Sequence, residues 1–399
     1  MIRLSDADVV LPDRVLGGGT VIIDGDRIAE VAPSAARGGA DDVHFSFPGH
    51  YVVPGFIDVH VHGLLGHDTL DGGDAIRDIA AALPAYGVTA FCPTTVACTP
   101  EALRRVLASV RDARTTRPPG GARVLPAHLE SNFINPTFKG AQPAECLRLP
   151  PRAGERDRAG DWTGDDILEE IAAARPDVGI VTVAPELDGA IALIADLVAH
   201  GHHVSLGHSA ASYEEALAGI RAGARQATHL FNRMTPLHHR EPGLAAAVLD
   251  ADDVVAELVC DGVHVHPAMI RIALAAKRPD RVMAITDGTA GAGLPSGGTA
   301  SLGGRRITVR DAAYLDDGTI AGSVLTMDRA FAVLTTACGV SPVEAAAVCA
   351  TTPARALGLR GFGVLTVGAT ADVVVLDRDF RVVQTWIAGS LAYSARESV

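Results

Sequence analysis

The sequence is short of lysine. Lys139 and Lys277 are its only two, and arginine supplies the rest of the 34 basic side chains. Against 47 acidic residues this leaves a formal charge of −13, which argues against a nucleic-acid or anionic-membrane partner, since either would repel the chain as a whole. No C-x-x-C pair is present. Cys92, Cys98, Cys146, Cys260, Cys338 and Cys349 are scattered, so a disulfide framework or thiolate zinc site is disfavoured and buried free thiols in a reducing cytoplasm are expected. The opening Met1-Ile-Arg-Leu-Ser-Asp-Ala-Asp carries charges where a signal peptide needs an apolar run, so export is not expected. The longest uncharged stretch, Ile79–Pro100, is interrupted by Pro84, Gly87, Pro93 and four threonines. It reads as a helix end, a turn and a buried strand rather than a membrane span. Internal repeats and low-complexity linkers are missing as well.

What is present is a large apolar fraction, 48% of residues, with 20% charged, enough for a sizeable core and incompatible with disorder. At about 150 residues per domain the length allows two or three units, or one barrel with an appendage. Residues 1–53 read as a small β module, with Asp24-Gly25 as its hairpin signal. Eight apolar runs follow: Tyr51–His62, Val88–Thr95, Arg123–Glu130, Gly179–Glu186, His203–Ser209, Gln226–Asn232, Val254–His264 and Arg281–Thr289. Helical periodicity at 101–113, 165–174, 188–200, 212–222 and 267–277 separates them. The alternation predicts an α/β fold, a (β/α)8 TIM-like barrel over 54–360. An open doubly wound sheet is the alternative, without a G-x-G-x-x-G after the first strand to favour it. A Gly- and Ser-rich stretch at 290–325 predicts a β-hairpin inserted over the barrel mouth, and helices are expected at about 327–338 and 343–357. Residues 361–399 return to β patterning, so one small β-sandwich domain is expected from both termini.

Polar residues gather at one end of the predicted strands. Strand one ends in His60-Val61-His62, a spacing that puts both imidazoles on one face. Strand three ends in Glu130, five in His208, six in His229 and eight in Asp287. Any of these histidines alone is more simply a hydrogen-bonded core residue. Six such residues at five strand ends point to one or two divalent ions, zinc first, with iron, manganese or cobalt also suited to the donors. A bridging carboxylate or carbamylated lysine is then needed. Neither lysine falls at a strand end, which favours Glu130 as the bridge. His44, His50, His67, His200, His202 and His203 read as surface or loop residues.

Further runs accompany this set in order: Pro54-Gly-Phe-Ile-Asp-Val-His-Val-His-Gly63, His128-Leu-Glu130, Lys139-Gly140-Ala141, Gly207-His-Ser209, Thr228-His-Leu-Phe-Asn232, Arg240-Glu-Pro-Gly243, Asp261-Gly-Val-His264, Thr286-Asp287 and Ala321-Gly-Ser323. Together they resemble the amidohydrolase superfamily, and within it the N-acetylglucosamine-6-phosphate deacetylase family. The resemblance implies that Glu130, His208 and His229 are the principal metal ligands, and that His60 and His62 are the pair found in members with a second ion. It implies Asp287 as catalytic acid/base as well as ligand. Asn232, the backbone at Arg233, and Arg240 would bind the sugar phosphate, with Arg240 reaching the site of the neighbouring subunit in a homodimer. The segment Asp261, Gly262, Val263 and His264, together with Ile320, Ala321, Gly322 and Ala141, would line the sugar pocket.

The chain departs from the family at Ser131 and Asn132, where Gly-Pro is usual, at Gln142, where histidine is usual, and at Arg233, where a small alanine is common. Gln142 can donate to a substrate carbonyl but cannot titrate, and Arg233 either adds a bidentate phosphate contact or changes the sugar pose. For Asp287 the residues leave open a purely ligating role or a helix N-cap, and for Arg240 a surface pair with Glu241. The implied activity is metal-dependent deacetylation of N-acetylglucosamine 6-phosphate. The alternatives are another N-acyl amino sugar, such as N-acetylgalactosamine 6-phosphate, a cyclic amide, or a catalytically silent binding protein.

Overall fold

The computed structural model describes residues 1–33, 42–116, 119–151 and 161–395. Eight parallel strands form the barrel: Phe56–Val61, Val88–Thr95, a broken third strand of Arg123–Val124 and Ala127–Leu129, then Val178–Val183, His203–Leu206, Gln226–Ala227, Val255–Val259 and Val282–Ile285. Strand one pairs with strand two, and the ring closes through a Val61–Gly288 bridge and the bond from Asp287 N to His60 O at 3.0 Å. Pro126 breaks strand three because it brings no N–H to the ladder.

Period-two alternation sorts the strand side chains. Along Phe56–Val61, Ile57 and Val59 join the large apolar core, while Asp58 and His60 have the opposite parity and hydrogen-bond across the barrel interior. Helices fall close to where the periodicity puts them, at Pro100–Thr115, Gly164–Ala173, Ala190–Ala199, Tyr213–Arg221 and Pro267–Lys277. Helix Ala75–Ala82 supplies the helix end expected at Ile79, and the Ala-rich helix Gly243–Asp250 had no place in the sequence reading.

Several boundaries differ from expectation for identifiable reasons. The run Tyr51–His62 is two strands in two sheets, Tyr51–Pro54 and Phe56–Val61. They part at Gly55, where an added Cβ would lie 2.4 Å from the Thr89 side chain. The mouth insertion is a three-stranded meander, Thr299–Leu302, Arg305–Val309 and Ala313–Leu315, rather than a single hairpin. The last helical stretch passes through a π-helical turn, Ala347–Thr351, just before Pro353, whose ring nitrogen cannot donate to the preceding turn. In the N-terminal hairpin the two-residue turn is Gly25-Asp26, since Asp24 pairs with Arg27.

Both termini build a second sheet of eight strands, joined where Val373–Leu376 pairs antiparallel with Tyr51–Pro54. Val373 and Val375 face this domain's own core, whereas Val374 and Leu376 pack into the barrel core. An Arg123–Asp372 ion pair ties strand three of the barrel to the same seam. All six cysteines are free and buried. His202 is a correction to the sequence reading: it is buried, with Nδ1 on Val178 O at 3.0 Å, and His203 lies within strand five. Among the described residues no helix is long and apolar enough to cross a membrane.

Candidate metal centre

The structure brings all six predicted ligands to the C-terminal ends of the strands, and all are buried. His208, His229 and Asp287 each sit two residues beyond a strand end with positive φ, +47°, +32° and +49°. L-residues adopt this conformation at a cost of about 1–3 kcal/mol, which survives only where the surroundings impose it and tends to mark functional sites.

Two groups of ligands meet at Glu130. In the first, His60 Nε2 lies 3.1 Å from His62 Nε2, with Asp287 Oδ1 at 3.4 and 3.3 Å from the two imidazoles. In the second, His208 Nε2 and His229 Nε2 are 3.0 Å apart, and Glu130 Oε1 is 2.7 and 2.8 Å from them. Glu130 Oε2 lies 3.5 Å from His62 Nε2, so its carboxylate spans both groups.

These contacts constrain the protons. An ionised Glu257 accepts only, and in that state His60 donates Nδ1–H to it at 3.0 Å. His208 likewise donates Nδ1–H to the Phe138 carbonyl at 2.9 Å. Both Nε2 lone pairs therefore face another imidazole nitrogen. Burial pushes His60 down to about 4, overriding Asp287 and Glu130. Burial opposes charge on His62 and His229 too, yet hydrogen bonds to Asp287 and Glu130 lift His62 to about 10, and Glu130 lifts His229 to about 9. Burial works against the charged form of Glu130, but the histidines around it, His208 foremost, hold its carboxyl well below the usual range. Asp287 is also lowered, by His60 and His62 against its burial. In each close pair one Nε2 offers a lone pair, so the other nitrogen donates a proton to it or the two share a metal ion. Imidazole and carboxylate donors of this kind suit a borderline divalent ion.

The residues that set these donors in place were not legible in the sequence. Asp58 Oδ1 accepts from the backbone N–H of His60 (3.2 Å) and of Thr286 (3.3 Å), and its Oδ2 accepts from Thr286 Oγ1 at 2.6 Å. It thereby clamps strand one to the turn carrying Asp287. Burial raises the carboxyls of Asp58 and Glu257 to about 7. The available signal was a lone carboxylate inside an apolar strand, Val255-Ala-Glu-Leu-Val. His128 lies close to His60 and Glu257, but its Nδ1 donates to Val59 O (3.0 Å) and its Nε2 accepts from Thr182 Oγ1 (2.9 Å). Both nitrogens are committed, which makes it a hydrogen-bonded floor residue.

Above the ligands opens a cavity of about 460 Å³, lined by Ala141, Gln142, Asn232, Arg233, Val263, His264, Ile320, Ala321 and Gly322 as well as His62, Glu130, His208, His229 and Asp287. Asp261 and Gly262 stand behind this wall. Asp261 Oδ1 accepts the N–H groups of Val263 and His264, and its Oδ2 accepts His264 Nδ1–H at 2.6 Å, leaving His264 Nε2 without a partner. Asn232 Nδ2 is likewise buried and unpartnered. Gly322 has φ +100°, and a Cβ there would meet Asp287 O at 3.0 Å, so the insertion can close on the ligand turn only with glycine. Gln142 uses both ends within the protein. Its Oε1 accepts Ala97 N–H at 2.7 Å, which fixes its amide nitrogen toward Glu130 Oε2. Arg233 lies against Gly140 and lines the cavity. Arg240 is outside it, exposed, and donates to His239 Nε2 at 2.9 Å rather than to Glu241. A larger cavity of about 930 Å³ lies on the outer helices Gly164–Ala173 and Ala190–Ala199 and contains none of the six ligands.

The profile of the amidohydrolase family matches residues 51–392. The chain is 32% identical to N-acetylglucosamine-6-phosphate deacetylase of Bacillus subtilis (strain 168), covering 100% of this chain and 98% of that one. It is 36% identical to N-acetylgalactosamine-6-phosphate deacetylase of Escherichia coli O157:H7, over 85% and 87% of the two. Among solved structures, a mutant N-acetyl-D-glucosamine-6-phosphate deacetylase from Mycobacterium smegmatis in complex with N-acetyl-D-glucosamine-6-phosphate superposes with a TM-score of 0.87 at 33% identity, covering 98% and 99% of the chains.

Proposed function

The chain belongs to the amidohydrolase family, and within it to the N-acetylglucosamine-6-phosphate deacetylases, and from that premise we propose that it hydrolyses N-acetylglucosamine 6-phosphate to glucosamine 6-phosphate and acetate. The observation that carries this reading is the pair of imidazole contacts bridged by Glu130 at the floor of a cavity whose wall offers unpartnered His264 Nε2 and Asn232 Nδ2. His60, His62, Glu130, His208, His229 and Asp287 would hold one or two divalent ions, zinc first. When bound, such an ion polarises an amide carbonyl and acidifies water.

The rest is the work of the chain's own groups. Asp287 Oδ1 takes the proton of the attacking water and returns it to the departing amine, acting as base and then acid. Asp261 holds His264 with Nε2 toward the sugar. Asn232 and Arg233 face the phosphate, completed by Arg240 of a second subunit, so the working form is a homodimer. Gln142, committed to Ala97 and Glu130, steadies the carboxylate instead of reaching for the acetyl oxygen. The buried, unpaired thiols fit a reducing cytoplasm.

The test is acetate release from N-acetylglucosamine 6-phosphate by zinc-loaded protein, run beside N-acetylgalactosamine 6-phosphate, the second reading favoured by the 36% relative. Turnover of an unphosphorylated cyclic amide, with none of either sugar phosphate, overturns the proposal. Failure to take up metal after reloading favours the silent binding protein.

A further inference from the structure

Of the four ligand histidines, two have an acceptor on Nδ1 and two have none. His208 is anchored by the Phe138 carbonyl and His60 by Glu257, while Nδ1 of His62 and of His229 is buried without a partner. Each group of ligands therefore contains one oriented imidazole. In the group formed by His60, His62 and Asp287 that anchor is a side chain, and it can be removed.

The side chain of Glu257 has two further neighbours, His128, whose Nδ1 lies 3.8 Å from Oε1, and the backbone of His229, but its one side-chain hydrogen bond to a ligand is to His60. It is fully buried in the middle of strand seven, does not line the substrate cavity, and has one oxygen, Oε1, with no hydrogen-bond partner. A carboxylate buried in this way is costly unless its interactions compensate. Its other oxygen fixes the tautomer of His60 and turns Nε2 toward His62 and Asp287. The principal ligands Glu130, His208 and His229 make no side-chain hydrogen bond to it among the described residues.

We propose that Glu257 is the positioning residue for an ion held by His60, His62 and Asp287, and so decides whether this chain binds two ions or one. The inference rests on the metal-dependent hydrolase reading and adds to it a residue that touches neither substrate nor metal. Outer carboxylates that orient a ligating histidine are typically worth about 10–100-fold in metal affinity.

The experiment measures zinc per subunit by mass spectrometry, and the affinity of each ion by competition with a chromophoric chelator, for wild type, Glu257→Ala and Glu257→Gln. Wild type is expected to hold two ions. Glu257→Ala should weaken only one, by about 10–100-fold. Glu257→Gln keeps an acceptor oxygen but loses the charge, and should weaken the same ion several-fold. Selective loss of one ion is a result that general destabilisation would not give. If the alanine variant does not fold, the glutamine variant decides alone. Wild type saturating at one ion, or a glutamine variant within twofold of wild type for both ions, overturns the proposal. Wild type that binds no zinc and releases no acetate refutes the hydrolase reading instead, so the two failures are distinguishable.

Discussion

The two groups of candidate ligands offer the same kinds of donor on different supports. Glu130, His208 and His229 come from strands three, five and six, and among the described residues the one Nδ1 anchor there is a main-chain carbonyl of the loop after strand three. His60, His62 and Asp287 come from strands one and eight, the seam where the barrel closes, with Asp58 and Glu257 behind them. A backbone anchor persists through most substitutions, because the carbonyl is there whatever the side chain. A side-chain anchor is open to sequence change. At the seam the imidazole anchor is open to sequence change, whereas in the other group the side-chain support, Gln142, falls on the carboxylate of Glu130 and the imidazole anchor is main chain.

Removing the shared residue should erase the distinction. Glu130→Ala is expected to lose both ions and all acetate release above background, checked by metal analysis after dialysis; retention of either ion would mean that Glu130 does not join the groups. Asp287→Asn tests the seam group alone. It should lower kcat/KM by about 10²–10⁴-fold, the range for a lost acid/base, while the ion on Glu130, His208 and His229 stays bound. Acidity should act on both groups. His62 and His229 carry protons with values raised to about 10 and 9, and metal must displace them. Affinity should therefore fall as pH falls from 8 to 6, by about 10–100-fold per unit for one or two protons released; a flat chelator-competition profile would contradict the proton placement.

The smallest effect belongs to a residue outside both groups. Arg240→Ala should raise KM for the phosphorylated sugar about 10-fold, the cost of one charge-assisted hydrogen bond, with the metal content unchanged. Mixing this variant with Asp287→Asn subunits should restore turnover if Arg240 serves the neighbouring site. Activity that stays at the level of the separate variants would place Arg240 elsewhere.

The barrel was legible because eight buried parallel strands must read as short apolar runs between helical periods, and these do. His60 and His62 could be read as a pair because a strand alternates every two residues. Gln142 was expected to donate to a substrate carbonyl, and its bond to Glu130 was not legible, because the Ala97 N–H that orients its amide lies 45 positions away. Helix Gly243–Asp250 is not legible in the sequence because its mostly apolar, Ala-rich run shows no polar face to set its period.

By itself, then, the sequence determined the eight-strand alternation, the contribution of both termini to one β domain, and the types of donor at the strand ends. Local patterning and spacing along one strand are enough for these. Only the tertiary structure decided which nitrogen of each histidine faces the centre, that Glu130 spans the two groups, and that Glu257 and Asp58 stand behind them. Those facts depend on side chains up to 228 positions apart meeting across a closed barrel, and no local pattern records where such partners will meet.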